Sequence, residues 1–227
     1  MPMSPADHAP AVMSRAGLEA RPSRFRAWLD ACYRAERSRP VGLRWLRGWR
    51  RPGSTDGPAD LPAASGGWLQ QLVHATRAQL VVTLGTADGA AAVWLAEALR
   101  AVPGRRSDRA LIGFERDPAA ARQARDVLRR AGVSRYVDIR CDAPARVLAT
   151  IDVPIDLVVL LGGFDGDASE LVERLLPRLR AGGSLVIPRF RRRPLLAAAI
   201  DRHCADGGQL QALQMPLDGG LLWSVKR

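Results

Sequence analysis

Short apolar runs alternate with amphipathic segments from residue 68 to the end of the chain. The apolar runs are rich in β-favouring residues and predict strands at residues 80–84, 110–115, 136–140, 155–161 and 184–187. Helical spacing and helix-start signals predict helices at residues 68–77, 90–100, 118–130, 143–149, 168–179 and 194–205. Two final runs, 209–215 and 221–225, flank a Pro-Leu-Asp-Gly-Gly turn and predict a β-hairpin. Because parallel strands need crossover helices, we expect an α/β fold with a doubly wound, mostly parallel sheet of seven strands that ends in an antiparallel hairpin.

The third predicted helix has the clearest boundaries. Asp117 is a candidate N-cap and Pro118 suits the first helical position, while Gly132 is a typical residue after a helix end. These three residues predict both ends of the helix from local signals alone.

The first predicted strand leads directly into a loop of small residues, Gly85-Thr86-Ala87-Asp88-Gly89, which opens an alanine-rich helix. Gly85 can take the backbone angles of a sharp turn, and Gly89 leaves no Cβ where a ligand or the strand must approach. The N–H groups at the start of the helix favour an anionic or polar group. The loop is therefore a candidate for half of a nucleotide site, and an ordinary strand-to-helix turn is the alternative.

The N-terminal quarter of the chain differs in composition from the rest. We expect residues 1–22 to form a disordered tail, residues 23–59 a helical extension and residues 60–227 the main domain. In the extension, Trp45 and Trp49 fall four residues apart in a basic segment and would share a helix face. The extension is predicted to cover a substrate pocket or to form a homodimer contact, with RNA stacking or binding to a membrane surface as alternatives.

The net charge of +11 points to nucleic acid as one class of partner, because clustered basic residues neutralise phosphates. All but one of the 34 basic residues are arginine, however, and a chain rich in arginine and alanine is typical of a GC-rich genome. Nucleic-acid binding is therefore not favoured.

The distribution of cysteine and of apolar residues indicates the compartment. The three cysteines are far apart and lack metal-ligand spacing, which favours a reducing cytoplasm. No run of about 18 apolar residues is present, so we expect no membrane span.

Five segments follow one another as in a known family: VVTLGTADG at Val81–Gly89, FERDP at Phe114–Pro118, CDA at Cys141–Ala143, IDLVVLLG at Ile155–Gly162 and LPRLRAGGSLVI at Leu176–Ile187. The series resembles the class I S-adenosylmethionine-dependent methyltransferases, and its order and spacing are most similar to the catechol/caffeoyl-CoA O-methyltransferase branch. The resemblance covers residues 60–227 and implies a Rossmann-like methyltransferase fold with S-adenosylmethionine as the cofactor.

The resemblance also implies roles for individual residues. Glu115, at the end of the second strand, would accept hydrogen bonds from the ribose hydroxyls, and Asp142 with Ala143 would lie beside the adenine. An exposed strand-end acid and a plain helix cap are the respective alternatives. The remaining cofactor-binding candidates come from the glycine loop and from the ends of the second and fourth strands: Thr83, Gly85, Thr86, Ala87, Gly89, Arg116 and Leu161. A dinucleotide site fits less well, because its motif would require glycine at Ala87 and Ala90.

The chain departs from the family at the start of the loop. The family carries an acidic residue at the position of Thr83 and a middle glycine at that of Ala87, so cofactor affinity is predicted to be lower.

The chain also departs at the metal site of the resembled branch, whose ligand positions correspond to Leu161, Pro188 and Arg189. None of these side chains is a suitable ligand, so we expect no catalytic Mg²⁺. Asp165 is a weak substrate-binding candidate, although loop acids such as Asp165 and Asp167 are more often simply solvated.

The arginine run after the fifth strand borders the predicted ligand crevice. Arg189 and Arg191 are candidates for binding a carboxylate or phosphate on the acceptor, with a solvated surface run as the alternative. His74 and His203 lie in helices and are predicted to be structural, so no general base is identified.

These observations predict metal-independent methylation of a small-molecule acceptor, at oxygen. Two alternatives remain open: a catalytically degenerate scaffold or regulator, and a methyltransferase acting on RNA. Adenine N-methylation is disfavoured because Leu-Leu-Gly-Gly-Phe stands where that class carries Asn-Pro-Pro-Tyr.

Overall fold

A computed structural model describes residues 61, 63–86, 89–103, 109–162, 168–205 and 207–227. The predicted tail and helical extension lie outside the described residues, as do Ala87, Asp165 and Asp167.

The described chain alternates strands with helices as the pattern predicts. The strands are β1 (Leu80–Leu84), β2 (Ala110–Phe114), β3 (Val137–Arg140), β4 (Ile155–Leu160), β5 (Leu179–Pro188), β6 (Leu210–Met215) and β7 (Leu221–Lys226). The helices are α1 (Ala63–Thr76), α2 (Ala90–Ala101), α3 (Pro118–Ala131), α4 (Pro144–Ala149), α5 (Ala168–Leu175) and α6 (Pro194–Cys204). Two short 3₁₀ turns, Ser134–Tyr136 and Phe190–Arg192, precede β3 and α6.

The strands form one sheet in the order β3-β2-β1-β4-β5-β7-β6. Neighbours among β1 to β5 are parallel, and β7 inserts antiparallel between β5 and β6. The order reverses direction between β1 and β4, which makes the carboxyl ends of these two strands the switch point of the sheet. The prediction of a mostly parallel, seven-stranded sheet with an antiparallel hairpin is confirmed.

Helices pack in two layers on the sheet. Helices α1, α2 and α3 pack side by side, and α4, α5 and α6 form a second group. The core between sheet and helices is aliphatic, with Leu84, Leu160 and Leu185 fully or almost fully buried. Within the first layer, Gly66 of α1 faces Trp94 of α2, where a Cβ would lie 2.6 Å from Cε2 of the indole and closer still to its Nε1. No helix among the described residues is long and apolar enough to cross a membrane.

Local signals set the ends of α3. The Asp117 side chain accepts the N–H of Ala119 at 3.0 Å, and Gly132 adopts a left-handed conformation with φ of 74°. The predicted boundaries are confirmed at both ends.

The boundary between α5 and β5 differs from the prediction. Helix α5 ends at Leu175, and β5 begins at Leu179 rather than at Ser184. Ile155 of β4 pairs with Leu179 of β5, and the next pair is Leu157 with Ser184. The two pairs are thus two residues apart in β4 but five residues apart in β5. The glycine pair that the sequence pattern places before the strand is therefore a bulge inside it, with Gly182 at φ of 70°.

Candidate functional site

The candidate site is the sheet edge where β1, β2 and β4 end, because ligands of doubly wound sheets bind beyond the carboxyl ends of strands at the switch point. The glycine loop after β1 and the segments after β2 and β4 all reach this edge. They carry most of the predicted cofactor-binding residues.

Gly85 joins two of these loops. Its φ is 81°, and its N–H donates to the carbonyl of Phe114 at 2.9 Å. A Cβ at Gly85 would lie 2.9 Å from the carbonyl carbon of Gly162 and closer still to its oxygen. The N–H groups of Leu161 and Gly162 both donate to the Leu84 carbonyl, at 2.8 and 3.1 Å. A glycine at residue 85 is therefore required for the ends of β1 and β4 to meet.

Gly89 begins α2. Its φ is 91°, and its N–H donates to the Thr86 carbonyl at 2.8 Å, which closes the turn of the loop. A Cβ here would lie 3.2 Å from Cα of Ala124 on α3. Among the protein atoms, the close approach at Gly89 thus comes from the neighbouring helix α3 rather than from the strand, and the approach of a ligand stays a prediction.

The carboxylate of Glu115 is fixed beneath the glycine loop. The residue is 6% exposed, and its Oε2 accepts from both the Oγ1–H and the N–H of Thr86, at 3.0 and 3.3 Å. Its Oε1 accepts the N–H of Asp117 at 3.2 Å. The structure therefore brings Thr86 and Glu115 together, and the alternative of a freely exposed strand-end acid is wrong. A carboxylate offers about four acceptor positions, and these contacts fix the orientation of the group toward the glycine loop.

Thr83 lies below the loop and is fully buried. It pairs with Gly113 of β2, where a Cβ would lie 3.2 Å from Thr83 Oγ1 and 2.6 Å from Ile139 Cδ1. The hydroxyl has no hydrogen-bond partner in the described part of the chain. Because its surroundings are small and largely apolar, this pocket suits a threonine better than the carboxylate of the resembled family.

The segment after β3 holds the residues predicted to lie beside adenine. Asp142 and Ala143 are exposed, and Asp142 Oδ1 accepts the N–H of Ala143 at 2.7 Å. Helix α4 begins only at Pro144, so this contact lies just ahead of the helix. Arg116 is also exposed, with its backbone carbonyl 3.8 Å from the Cys141 thiol. Their cofactor contacts stay predictions.

The guanidinium of Arg193, which precedes α6, lies at the end of β4, and the sequence analysis did not single it out. Arg193 donates through Nη1 to the carbonyl of Leu160 at 2.8 Å, and through Nη2 to that of Leu161. The only available signal was its place in the arginine run directly before Pro194, which starts α6.

The positions that supply metal ligands in the resembled branch carry none here. Leu161 and Pro188 are buried, and Arg189 is a half-buried cation. The described ranges contain no group of three His, Cys, Asp or Glu side chains that could hold a metal ion. Metal independence stays a prediction, since nearby acids fall outside those ranges.

The turn after β5 presents the candidate acceptor-binding arginines. Arg189 adopts a left-handed conformation with φ of 53°, which costs a non-glycine residue roughly 1–2 kcal/mol. Phe190 is buried and its N–H donates to the Gly220 carbonyl at 3.2 Å, which fixes the turn to the hairpin. Arg191 is exposed. The turn is thus held at the site edge, and acceptor binding by Arg189 and Arg191 stays a prediction.

Comparison with known proteins gives a match to one family model and matches to solved structures. Residues 82–187 match the model of a family described as a methyltransferase domain. No curated protein matches the chain by sequence.

Several solved methyltransferases share the fold. The O-methyltransferase TomG from Streptomyces achromogenes, in complex with S-adenosylmethionine, is 20% identical, with 86% of this chain and 94% of that chain covered and a TM-score of 0.63. An O-methyltransferase from Bacillus cereus, in complex with S-adenosylhomocysteine, is 19% identical, with 89% and 100% covered and a TM-score of 0.63. The S-adenosylhomocysteine-bound methyltransferase PaMTH1 from Podospora anserina is 16% identical, with 88% and 95% covered and a TM-score of 0.61.

At these identities the likeness to solved structures establishes the fold alone. The evidence for a methyltransferase domain comes from the match to the family model. The family match over residues 82–187 and the shared sheet order together indicate a methyltransferase domain with this fold.

Proposed function

We propose that the chain methylates a hydroxyl oxygen of a small-molecule acceptor, with S-adenosylmethionine as donor and without a metal ion. The observation that carries the proposal is the buried Glu115 carboxylate, held by Thr86 of the glycine loop at the carboxyl end of β2. A carboxylate fixed there can accept hydrogen bonds from ribose hydroxyls.

The residues around the loop fit the donor. When bound, S-adenosylmethionine supplies an electrophilic methyl group on a cationic sulfur. Gly85 lets the loop lie against the end of β4, which leaves backbone rather than side chain at the switch point. Asp142 would accept from the exocyclic amine of adenine, and Leu161 would border the cofactor at the end of β4. The lack of a carboxylate at Thr83 is expected to weaken the affinity.

The chemistry of the ligand set supports metal independence. Leucine and proline offer no side-chain ligand at positions 161 and 188, and an arginine at 189 repels cations. Without a metal, catalysis would depend on holding the acceptor in line with the methyl group, and on Arg189 and Arg191 for an anionic part of the acceptor.

Calorimetric titration with S-adenosylmethionine and S-adenosylhomocysteine, with and without EDTA, tests the proposal. We expect binding that EDTA leaves unchanged, and at least a tenfold loss in Glu115→Gln. The control is Glu170→Gln, which alters an exposed carboxylate that pairs across a helix turn with Arg174. A well-folded protein that binds neither ligand would refute the proposal and favour the degenerate scaffold.

A further inference from the structure

The two outer strands of the sheet, β3 and β6, differ in how they are protected against pairing with another strand. We propose that β6 pairs antiparallel with β6 of a second copy of this chain, so that two seven-stranded sheets join across a two-fold axis at Ala212. This contact is separate from the candidate methyltransferase site. It also differs from the homodimer contact that the sequence predicts for the N-terminal extension.

Strand β3 is the protected edge. It is four residues long and carries Asp138 and Arg140, which form a salt bridge at 2.8 Å. The carbonyl of Ile139 accepts from Arg125 Nη2 at 2.5 Å, so a side chain of α3 occupies the place of a neighbouring strand. Short length, charged side chains and a covered backbone are features by which proteins prevent edge pairing.

Strand β6 lacks this protection. Its six residues, Leu-Gln-Ala-Leu-Gln-Met, pair with β7 in an unbroken register. None of the residues 207–217 is charged, although 25% of the residues of the chain are. Leu213 is 54% exposed, and no other strand in the described part of the chain pairs with the open side of β6. A regular, uncharged edge of this kind is a template for strand addition.

The absence of charge favours a second copy of the chain as the partner. The net charge is +11, so two copies repel each other and contacts between most of their surfaces bring arginines together. At β6 the two copies meet without charge, and like charges facing each other across strands, which destabilise a pair, are avoided. An acidic partner would find no cation on β6, and the arginine-rich turn after β5 would attract it more strongly.

The hydrogen-bond pattern of β6 determines the register of the pair. The Gln209 carbonyl accepts the N–H of Arg227 at 2.9 Å, so alternate residues from Gln209 onward direct their backbone groups to β7. The backbone groups of Leu210, Ala212 and Gln214 therefore point to the open side.

A two-fold axis at Ala212 pairs that residue with its own copy, and pairs Leu210 of each copy with Gln214 of the other. This register forms about six hydrogen bonds. A register centred on Leu213 would instead place Leu210 opposite Pro216, which has no N–H to donate. The register at Ala212 is therefore favoured.

One side chain already lies on the open side of β6. The Cys204 sulfur, at the end of α6, interacts with the N–H of Ala212, which confirms that this N–H points away from β7. A thiol is a weak acceptor, so a backbone carbonyl of the second copy forms the stronger hydrogen bond in its place. The charged groups that act on this thiol, Asp201 and Arg227, have opposite signs. The axis therefore lies where the electrostatic repulsion between copies is small.

An apolar surface continues from this edge onto one face of the hairpin. Leu213 pairs with Trp223, and Met215 and Val225 lie on the same face. These three neighbours of Leu213 are half-buried. Helix α1 reaches the face through Trp68, whose ring centroid is 5.6 Å from that of Trp223. In the proposed register Leu213 of each copy lies diagonally across the axis from Leu213 of the other, so pairing buries both side chains.

The direction of the pair leaves both candidate sites open. Strands β5 and β6 both run antiparallel to β7, so β6 ends at the same edge of the sheet as β5, which is the edge of the candidate site. Antiparallel pairing then places the candidate site of the second copy at the opposite edge of the joined sheet. Neither copy therefore covers the site of the other.

Sedimentation velocity of the full-length protein over a micromolar concentration series tests the proposal. Leu213→Lys places two like charges close to the axis. Ala212→Pro removes an N–H that points to the open side and spares the bonds to β7, because proline is tolerated at such edge positions. The matched control is Val153→Lys, since Val153 is 55% exposed, as Leu213 is 54%, and it lies in the loop before β4.

We expect the wild type to form a dimer as the concentration rises. Leu213→Lys and Ala212→Pro should each weaken the dimer at least tenfold, whereas Val153→Lys should stay within threefold of the wild type. Amide exchange followed by NMR gives a second readout. The N–H groups of Leu210 and Gln214 should exchange more slowly as the wild type dimerises, and this protection should be lost in Leu213→Lys.

Three results would overturn the inference. A wild type that stays monomeric throughout the series leaves the β6 edge to a strand of a different protein. A dimer that neither variant weakens forms through another surface, such as the N-terminal extension. A dimer without slower exchange at Leu210 and Gln214 does not pair through β6. If Ala212→Pro does not fold, Leu213→Lys decides, because an exposed side chain is changed there and no backbone donor is lost.

Discussion

Replacing Thr86 by valine tests the link between the glycine loop and the strand-end acid. The Thr86 hydroxyl donates to Glu115 Oε2 at 3.0 Å, and the two residues are 0% and 6% exposed. Valine has nearly the same shape and removes only the hydroxyl. The backbone N–H of residue 86, which donates to the same oxygen at 3.3 Å, is unchanged.

The expected loss follows from the charge and burial of the acceptor. A hydrogen bond to a charged group contributes about 1.5–3 kcal/mol, and here water cannot easily replace the lost donor. For a chain of this length, each kcal/mol shifts Tm by about 2–4 °C, so we expect Thr86→Val to melt roughly 3–12 °C below the wild type. Thr86→Ser, which keeps the hydroxyl, should recover most of the loss.

Urea unfolding followed by circular dichroism measures the change in free energy directly. The matched control is Thr76→Val in α1, where the hydroxyl donates to the neutral Leu72 carbonyl at 2.7 Å. That variant should lose about 1 kcal/mol or less. The reasoning is refuted if Thr86→Val loses no more than Thr76→Val, because the buried carboxylate would then not depend on the loop hydroxyl.

Three further variants test other parts of the fold. Gly85→Ala places a Cβ against the backbone of Gly162 at φ of 81°, so we expect a loss of about 2–5 kcal/mol in urea unfolding. Gly132→Ala, at φ of 74° with no atom within 4 Å, should lose only about 1–2 kcal/mol, and equal losses would contradict the role of the close approach. Burial raises the pKa of Glu97 above its ordinary value of 4.5, against the opposing effect of Arg100. The unfolded chain then releases this proton at lower pH than the folded one, so ionisation of Glu97 lowers stability as pH rises above 4.5. Glu97→Gln should reduce that decline in a pH series of unfolding curves, and an unchanged slope would contradict it.

Local signals account for the parts of the fold that could be predicted from the sequence. Asp117 and Gly132 set the ends of α3 through contacts within a few residues, and the apolar run of β1 needs no distant partner to be recognised. The start of β5 could not be predicted in this way, because Gly182 and Gly183 are typical of a break in a strand. They lie inside the strand, in a bulge where Arg180 pairs with Asp156 of β4 at 2.5 Å.

The residues of the candidate site show the same difference between local signals and distant contacts. The position of Glu115 at a strand end could be predicted, whereas its hydrogen bonds to Thr86 depend on how β1 and β2 are aligned. Arg193 could not be singled out among the neighbouring arginines, because its carbonyl partners lie more than thirty residues earlier in the chain. Sequence distance hides such contacts, and the parallel sheet creates them by bringing strand ends together.

The two departures at this edge change its charge in one direction. A carboxylate of the resembled family is replaced by the neutral, buried Thr83, and Arg189 stands at a position where the resembled branch carries a metal ligand. A cationic donor alone would therefore meet a less favourable potential here than in a site with the usual acid. An anionic acceptor would restore the balance, because both the positive charge of Arg189 and the sulfonium would attract it. The arginine at residue 189, which weakens the case for a metal, thus also favours an anionic acceptor.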